Sequence, residues 1–318
     1  MDLAQGAGRE ACVVVNARAG RGRAVELGKL VERHLREHGW RVALHVTAAA
    51  GDERRFAEQS TDARLFVAIG GDGTLRHVAD GLGERGPEVA LGIVPVGNAN
   101  VVARELGVLG HDDRGAIRLL TSGELRVFSV GEVRADERAP ELFVAMVGTG
   151  LDARTVHTLD RARGTRLGGW LYAHGLSDVL YLACGLPALL RVFPNRVGVT
   201  VDGQRLPRRY PTTWVCNTRT YAKGWSVTPA ARPDDAELDH HLCRRTFFPL
   251  VLWQMTCALR GGAAPGFVSD LGRGVRYALE SERPFLWQLD GDPRPAARRL
   301  EITVRPGALR LIASASSG

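Results

Sequence analysis

The stretch Leu65–Leu82, LFVAIGGDGTLRHVADGL, joins an apolar strand to a helical pattern through a glycine-rich turn. Glycine permits positive φ angles and close backbone approach, and the start of a helix offers free N–H groups and a positive dipole end to a phosphate. The pattern therefore predicts a phosphate-binding turn formed by Gly70, Gly71, Asp72, Gly73 and Thr74. The alternative is a tight turn in which Asp72 or Thr74 only caps the helix. It is not a P-loop, because GxxxxGK[ST] occurs nowhere in the chain.

Strand-like and helical patterns alternate on both sides of this turn. Strands are predicted over 11–15, 41–46, 65–69 and 89–94, and helices over 24–38, 52–59, 74–82 and about 100–121. Strict alternation indicates βαβ units, because parallel neighbours need crossover connections, and such sheets bind ligands beyond the carboxyl ends of their strands. The sequence predicts an N-terminal three-layer α/β domain with a mostly parallel sheet over residues 1–125.

The pattern changes after residue 125, where consecutive strands are separated by few helices. Strands are predicted over 125–133, 142–147, 196–202, 210–216, 285–290 and 299–304, with a long apolar helical region over 168–192. Such runs favour an antiparallel sheet. We expect a β-rich, sandwich-like domain over 126–304, with a tail of about 305–318 that returns to the first domain.

Two further loops leave the predicted parallel sheet in the same sense as the glycine-rich turn. The loop after the first strand comprises Asn16, Ala17, Arg18, Ala19 and Gly20, and the loop after the fourth strand contains Gly97, Asn98 and Asn100. In a parallel sheet all three loops meet at one edge, where they can share a ligand. The alternative for Asn16 and Asn100 is local turn bonding or helix capping.

Two motifs further along the chain carry carboxylates. The segment Asp290-Gly291-Asp292 follows an apolar strand, and either acid is suited to accept or orient a hydroxyl proton in phosphoryl transfer. The alternative is an Asp-Gly hairpin turn. The segment Gly148–Ala153, GTGLDA, matches a GxGxxA dinucleotide pattern but lies outside a first βαβ unit, so we interpret it as a turn at the domain cleft.

In this order the motifs resemble the catalytic-domain superfamily of diacylglycerol kinases, sphingosine kinases and related bacterial lipid kinases. The resemblance covers nearly the whole chain and includes Thr47 ahead of Gly51-Asp52, as well as residues between Asn217 and Asp239. It implies an ATP-dependent kinase that uses Mg²⁺ and holds its nucleotide between an α/β domain and a β-rich domain.

The resemblance also implies roles for particular residues. It places Asn16 to Gly20, Thr47, Gly70 to Thr74, Gly97, Asn98 and Asn100 at the nucleotide. Asp290 and Asp292 correspond to the catalytic acids, and Asp290 is preferred as the base because Asp292 is one methylene shorter than its usual counterpart. Asp235, with the carbonyl groups of Arg232 and Glu237, aligns with a structural Mg²⁺ site of bacterial members.

Some residues depart from the family pattern: Arg76, Asn98, Val101, Ala236 and Asp292. Arg76 stands where Asn is frequent, and Val101 replaces an acidic residue. These departures keep open the alternative of a catalytically weakened, nucleotide-binding regulatory protein.

The acceptor is predicted from apolar residues over 170–190 and 247–253, which are suited to line a pocket for acyl chains. The alternative for the first segment is a helix buried against the sheet. We expect a diacylglycerol-like or sphingoid-like lipid, or a similarly apolar alcohol, as the substrate. A soluble alcohol or NAD is the alternative acceptor.

Composition limits the remaining classes of function. The net charge of +7 comes from 42 basic and 35 acidic residues, and exposed arginines such as Arg161 and Arg166 either meet anionic lipid headgroups or solvate a surface. Five widely spaced cysteines indicate neither zinc nor disulfides, and the N-terminus lacks the apolar run of a signal peptide. We expect a cytoplasmic protein with peripheral contact at the inner membrane surface and no nucleic-acid binding, and we keep a homodimer open.

Overall fold

The glycine-rich turn lies at the end of a buried strand, as its sequence predicts. The computed structural model describes residues 3–4, 6, 8–49, 51–97, 99–173, 195–221, 225–245 and 268–315. The strands are β1 Glu10–Val15, β2 Arg41–Val46, β3 Ala63–Gly70, β4 Ala90–Pro95, β5 Glu124–Ala135, β6 Glu141–Phe143, β7 Met146–Thr149, β8 Val197–Val201, β9 Gln204–Tyr210, β10 Thr212–Cys216, β11 Thr220–Tyr221, β12 Trp225–Ser226, β13 Leu238–Cys243, β14 Ser269–Gly274, β15 Arg276–Leu289 and β16 Asp292–Ala313. The α-helices are α1 Arg23–Glu37, α2 Asp52–Gln59, α3 Asp72–Leu82, α4 Val101–Glu105, α5 Asp113–Ser122, α6 Leu151–Arg163 and α7 Arg166–Ala173.

The N-terminal strands form a parallel sheet in the order β4-β3-β1-β2, with helices on both faces. Alternate residues of β1 point to opposite faces, as the period of two in a strand requires. Val14 packs with residues of α2, α3 and α4, whereas Val13 packs with residues of α1 and α5. The predicted three-layer α/β arrangement is confirmed.

The C-terminal part is β-rich, and its strands pair antiparallel, which confirms the predicted fold class. In the described part of the chain, one sheet of fourteen strands runs through both parts. The strand β16 joins them: near its start it pairs with β15, and at its end Arg310 and Leu311 pair in parallel with Ala90 and Leu91 of β4.

The strand β13, LDHHLC, was not predicted from the sequence. Asp239, His240 and His241 interrupt its apolar pattern, yet all six of its residues are buried. The polar side chains have partners inside the protein, such as Tyr277 beside His240 Nδ1 at 3.2 Å and the carbonyl of Val227 beside His241 Nδ1 at 2.8 Å. A buried strand that carries three polar residues in a row has no hydrophobic signature.

Candidate active site

Three loops meet at the carboxyl edge of the parallel sheet. Asn16 Nδ2 donates a hydrogen bond to Thr74 Oγ1 at 3.1 Å, which ties the first loop to the glycine-rich turn. A Cβ atom added to Gly97 would lie 2.8 Å from the Cα atom of Gly71, and one added to Gly20 would lie 3.0 Å from Val96 Cβ. The loops therefore pack backbone against backbone, at a distance that larger residues would not allow.

The glycine-rich turn leaves the start of α3 open. Gly71 is the residue that caps α3, and no side chain accepts a hydrogen bond there. A Cβ atom at Gly73 would meet nothing within 4 Å, so space for a ligand adjoins the first turn of the helix. Uncapped N–H groups beside open space form the arrangement that binds phosphate at a helix start.

Asp72 caps a helix, but it is a different helix from the one it begins. Its carboxylate accepts hydrogen bonds from the backbone N–H groups of Val101 and Val102, both at 2.9 Å, and so caps α4 across the site. Burial raises the pKa of Asp72, with those two donors acting against it. Asp72 therefore joins the second and third loops.

The third loop is held by Asn100, which has a left-handed backbone with φ of 46°. Its Nδ2 donates to the carbonyl of Gly97 at 2.6 Å, while its Oδ1 is buried without a hydrogen-bond partner among the described residues. Local turn bonding of Asn100, the alternative weighed from sequence, is present in this loop. Asn98 lies outside the described residues.

Thr47 reaches the same edge of the sheet from the end of β2. Its N–H donates to the carbonyl of Val15 at 2.9 Å, which continues the parallel pairing of β1 and β2. Beside it, Asp52 accepts hydrogen bonds from the N–H groups of Ala49 and Ala48, and these donors with Arg55 lower the pKa of Asp52 to about 2.

The hairpin between β15 and β16 brings the downstream carboxylates to these loops. Asp292 is half-exposed, and its Oδ2 lies 2.8 Å from Nη2 of Arg76 on α3. The same oxygen lies 3.9 Å from Nη1 of Arg294. A carboxylate more than two hundred residues after the glycine-rich turn is thus placed beside the helix that this turn begins.

Asp290 has a different environment from Asp292, although only one glycine separates them. Its two carboxylate oxygens accept hydrogen bonds from the backbone N–H groups of Val144, Ala145 and Met146 at 2.8–2.9 Å. Burial raises the pKa of Asp290 against the charge of Arg76 and these three donors. Because both oxygens are engaged, Asp290 anchors the hairpin to the chain before β7.

Gln288 is a supporting residue that the sequence analysis missed. It is almost completely buried, and its Nε2 donates to Asp152 Oδ2 at 2.8 Å while its Oε1 accepts from the N–H of Gly291 at 2.7 Å. Burial raises the pKa of Asp152. The GTGLDA segment thus supports the carboxylate turn through Asp152, and a glutamine in an apolar strand gives no sequence signal for this role.

The residues assigned to a structural Mg²⁺ lie together, and several of their polar groups have partners within the protein. Asp235 Oδ1 accepts from the N–H of Glu237 at 3.2 Å, and the carbonyl of Arg232 accepts from the N–H of Asp235 at 3.3 Å. The guanidinium of Arg273 lies 3.0 Å from Glu237 Oε2 and 3.9 Å from Asp235 Oδ2, so it already supplies the positive charge. Among the described residues no group of three or more His, Cys, Asp or Glu is arranged to hold a metal ion. The Mg²⁺ site at Asp235 therefore stays a prediction, and we derive no step through a metal there.

The predicted acyl-chain pocket falls mostly within 174–194 and 246–267, which lie outside the described residues. On α7, which precedes the first of these segments, Leu167 and Trp170 are exposed. No helix within the described ranges is long and apolar enough to span a bilayer.

Two known protein families match the two halves of the chain. The sequence matches the diacylglycerol kinase catalytic domain over residues 10–133 and the YegS C-terminal NAD kinase beta sandwich-like domain over residues 145–313. The chain belongs to the diacylglycerol kinase and YegS-like kinase family. Membership confirms the resemblance identified from the motifs, and it makes the protein a kinase that transfers a phosphoryl group to an alcohol acceptor.

Relatives in the family match along most of their length. A protein of Pseudomonas aeruginosa strain PAO1 named "Probable lipid kinase YegS-like" is 29% identical over 284 residues, which cover 89% of this chain and 88% of the relative. The diacylglycerol kinase of Bacillus subtilis strain 168 is 24% identical, over 80% of both chains. A crystal structure of a diacylglycerol kinase from Bacillus anthracis strain Sterne has the same fold, with a TM-score of 0.68 at 17% identity over 96% of this chain and 97% of the other.

Proposed function

We propose that the protein transfers the terminal phosphoryl group of Mg·ATP to a hydroxyl group of a lipid or similarly apolar alcohol. One observation carries the proposal: the half-exposed carboxylate of Asp292 lies 2.8 Å from a side chain of the helix that the glycine-rich turn begins. A base and a phosphate-binding turn must face each other for in-line transfer to a hydroxyl.

Each loop has a role in this scheme. The open start of α3 binds and orients the phosphates through backbone N–H groups, while Asp72 and Asn16 hold the neighbouring loops in place. Preorganised donors of this kind stabilise charge that develops during transfer. Mg²⁺ enters with the nucleotide and supplies charge neutralisation when bound. The nucleotide roles of Thr47, Gly97 and Asn98 remain proposals.

Asp292, rather than Asp290, is the residue we propose to accept the hydroxyl proton. The sequence favoured Asp290 because Asp292 is one methylene shorter than its usual counterpart, but the oxygens of Asp290 are occupied by three backbone donors. The carboxylate of Asp292 is half-exposed, and its partners among the described residues are the side chains of Arg76 and Arg294, so it is open to an incoming hydroxyl group. Asp290 instead fixes the turn on which Asp292 stands.

The lipid nature of the acceptor is supported by two kinds of observation. The relatives described above carry the names lipid kinase and diacylglycerol kinase. In this chain, Leu167 and Trp170 are exposed three residues apart on α7, which begins at the exposed Arg166, and Arg161 near the end of α6 is also exposed. Apolar side chains rimmed by arginines favour contact with an anionic lipid surface.

NAD is the second candidate acceptor, because the C-terminal half matches a domain described as NAD kinase-like. Purified protein should be incubated with radiolabelled Mg·ATP and, separately, diacylglycerol, a sphingoid base, NAD and polyols. We expect label in a lipid product. Phosphorylation of water-soluble acceptors alone would overturn the lipid assignment, and nucleotide binding without any transfer would favour the regulatory protein.

The variant Asp292→Asn tests the mechanism. Loss of a general base slows turnover by about 10²-fold or more, whereas the phosphate-binding turn is untouched, so Mg·ATP should bind with unchanged affinity. Turnover is measured with the preferred acceptor and affinity by calorimetry. Wild-type turnover in this variant would refute the role of Asp292.

A further inference from the structure

Arg76 is a buried cation in the active site whose hydrogen-bonding capacity is only partly used. The residue is 4% exposed, although it lies on a helix at the edge of the cleft. Its Nη2 donates to Asp292 Oδ2 at 2.8 Å and lies 3.3 Å from His77 Nε2. Its Nη1 is buried and has no hydrogen-bond partner among the described residues.

An unpartnered guanidinium nitrogen in the interior is costly. Arginine stays charged at every pH a folded protein meets, so it cannot avoid the cost by losing a proton. A buried donor without an acceptor loses its hydration and gains nothing in return. An acceptor atom delivered by a ligand would remove this cost.

The surroundings of Arg76 indicate an anionic acceptor. The residue follows Thr74 by two positions, so it belongs to the first turns of the helix whose start is open to phosphate. Its partner Asp292 is the proposed base, and the charge of Arg76 opposes the rise that burial causes in the pKa of Asp290. The guanidinium therefore lies between the phosphate-binding turn and the carboxylate turn, where the phosphoryl group must pass during the proposed transfer.

We propose that Nη1 of Arg76 binds a phosphate oxygen in this gap while Nη2 of the same guanidinium holds Asp292. The assignment rests on the proposed kinase function and adds a residue that the family pattern does not supply, since Asn is frequent at this place. Arginine suits the task because its planar fork presents several donors in fixed directions. The phosphate is either the terminal group of the nucleotide or a phosphate carried by the acceptor.

Calorimetry on the full chain distinguishes the two sources. Mg·ATP and Mg·ADP are titrated into the wild type, Arg76→Met and Arg76→Lys, and glycerol 3-phosphate is titrated into each protein saturated with Mg·ATP. Arg294→Met is the matched control, because Arg294 also approaches Asp292 but its Nε is engaged by Glu141 at 2.9 Å. Thermal unfolding of each variant shows that it is folded, and Arg76→Lys keeps the charge if Arg76→Met does not fold.

We expect Arg76→Met to weaken the binding of Mg·ATP about tenfold relative to the binding of Mg·ADP, as the loss of one charge-assisted hydrogen bond predicts. Arg76→Lys should have an intermediate Mg·ATP affinity, and Arg294→Met should keep the wild-type ratio of Mg·ATP affinity to Mg·ADP affinity. Loss of glycerol 3-phosphate binding with an unchanged nucleotide ratio would assign the phosphate to the acceptor. If neither measurement differs from the wild type in either Arg76 variant, the proposal is wrong. If the wild type itself binds no nucleotide, both the proposed function and the assignment of Arg76 as a phosphate ligand are wrong.

Discussion

At the scale of single residues, two aspartates of one turn have different environments, and we propose different roles for them on that ground. Asp290 is surrounded by backbone donors, whereas Asp292 is half-exposed beside Arg76. Carboxylates with unlike surroundings are a common way for one site to separate structural and chemical roles. The sequence shows both acids but carries no information on which backbone N–H groups will surround them.

Asp290→Asn should destabilise the protein. The amide keeps one acceptor oxygen, but its NH₂ group then faces a backbone N–H that has lost its partner, at a cost of about 1–3 kcal/mol. Urea unfolding followed by circular dichroism measures the change. Asp292→Asn is the comparison and should lose less stability, because Asp292 accepts no backbone hydrogen bond among those described and the amide oxygen of the variant can still accept from Arg76. Equal stabilities for the two variants would contradict the anchor role of Asp290.

At the scale of elements, the site depends on close packing between the second and third loops. Gly71 and Gly97 allow this approach, since a Cβ atom on Gly97 would meet Gly71 and Asn100 Oδ1 at 2.8 Å. The loops were expected to converge because parallel strands deliver their carboxyl ends to one edge. That Asp72 of one loop caps the helix after the other was not predictable, since the contact joins residues about thirty positions apart.

Gly97→Ala should weaken both the fold and nucleotide binding. Overpacking of this kind costs about 1–3 kcal/mol, and the displaced loops would no longer frame the phosphates. Gly73→Ala is the matched comparison, because its Cβ atom would enter open space. We expect Gly73→Ala to keep the wild-type melting temperature but to bind Mg·ATP more weakly. Normal nucleotide affinity in Gly73→Ala would show that the open space at α3 is not the phosphate site.

The strand β13 places a carboxyl group, Asp239, in the interior. Burial raises its pKa from the ordinary 3.8 to about 6, with Arg273 opposing the shift. The folded protein thus holds this proton more tightly than the unfolded chain does. Stability from this group is therefore present below about pH 4 and is lost as the pH rises to about 6.

Asp239→Asn should remove the loss of stability that the titration of Asp239 causes. Relative to the wild type, the variant should gain stability as the pH rises from about 4 to about 6 and then level off, with a gain of about 3 kcal/mol at pH 7. Urea unfolding at several pH values gives the difference curve. A difference that is flat across this window would show that Asp239 titrates normally in the folded protein.

At the scale of the whole molecule, β16 belongs to both parts of the chain. Its first residues form the hairpin that carries Asp292, and its last residues pair with β4 of the parallel sheet. A single continuous strand gives the two halves a common backbone support. The domain bounds at residues 125 and 304 and the returning tail stay predictions, as do the membrane contact and a homodimer.

Leu311→Ala should destabilise the whole protein in one transition. Leu311 is fully buried in the core under α2 and α3, and removal of such a side chain costs about 2–5 kcal/mol. Val127→Ala on the neighbouring strand β5 is the control, because Val127 is exposed and truncating its side chain should change the free energy of unfolding little. Two separate unfolding transitions in Leu311→Ala would show that the halves are not coupled through β16.

The sequence by itself determined the alternating α/β half, the glycine-rich turn and the set of polar loops, because strand and helix periodicity and the special backbone freedom of glycine are local properties. Only the tertiary structure decided that Asp290 is an anchor, that Asp292 is half-exposed beside Arg76, and that Arg76 and Gln288 support the same turn. These roles depend on atoms that are far apart along the chain, and no local pattern records which of them folding brings within hydrogen-bond distance.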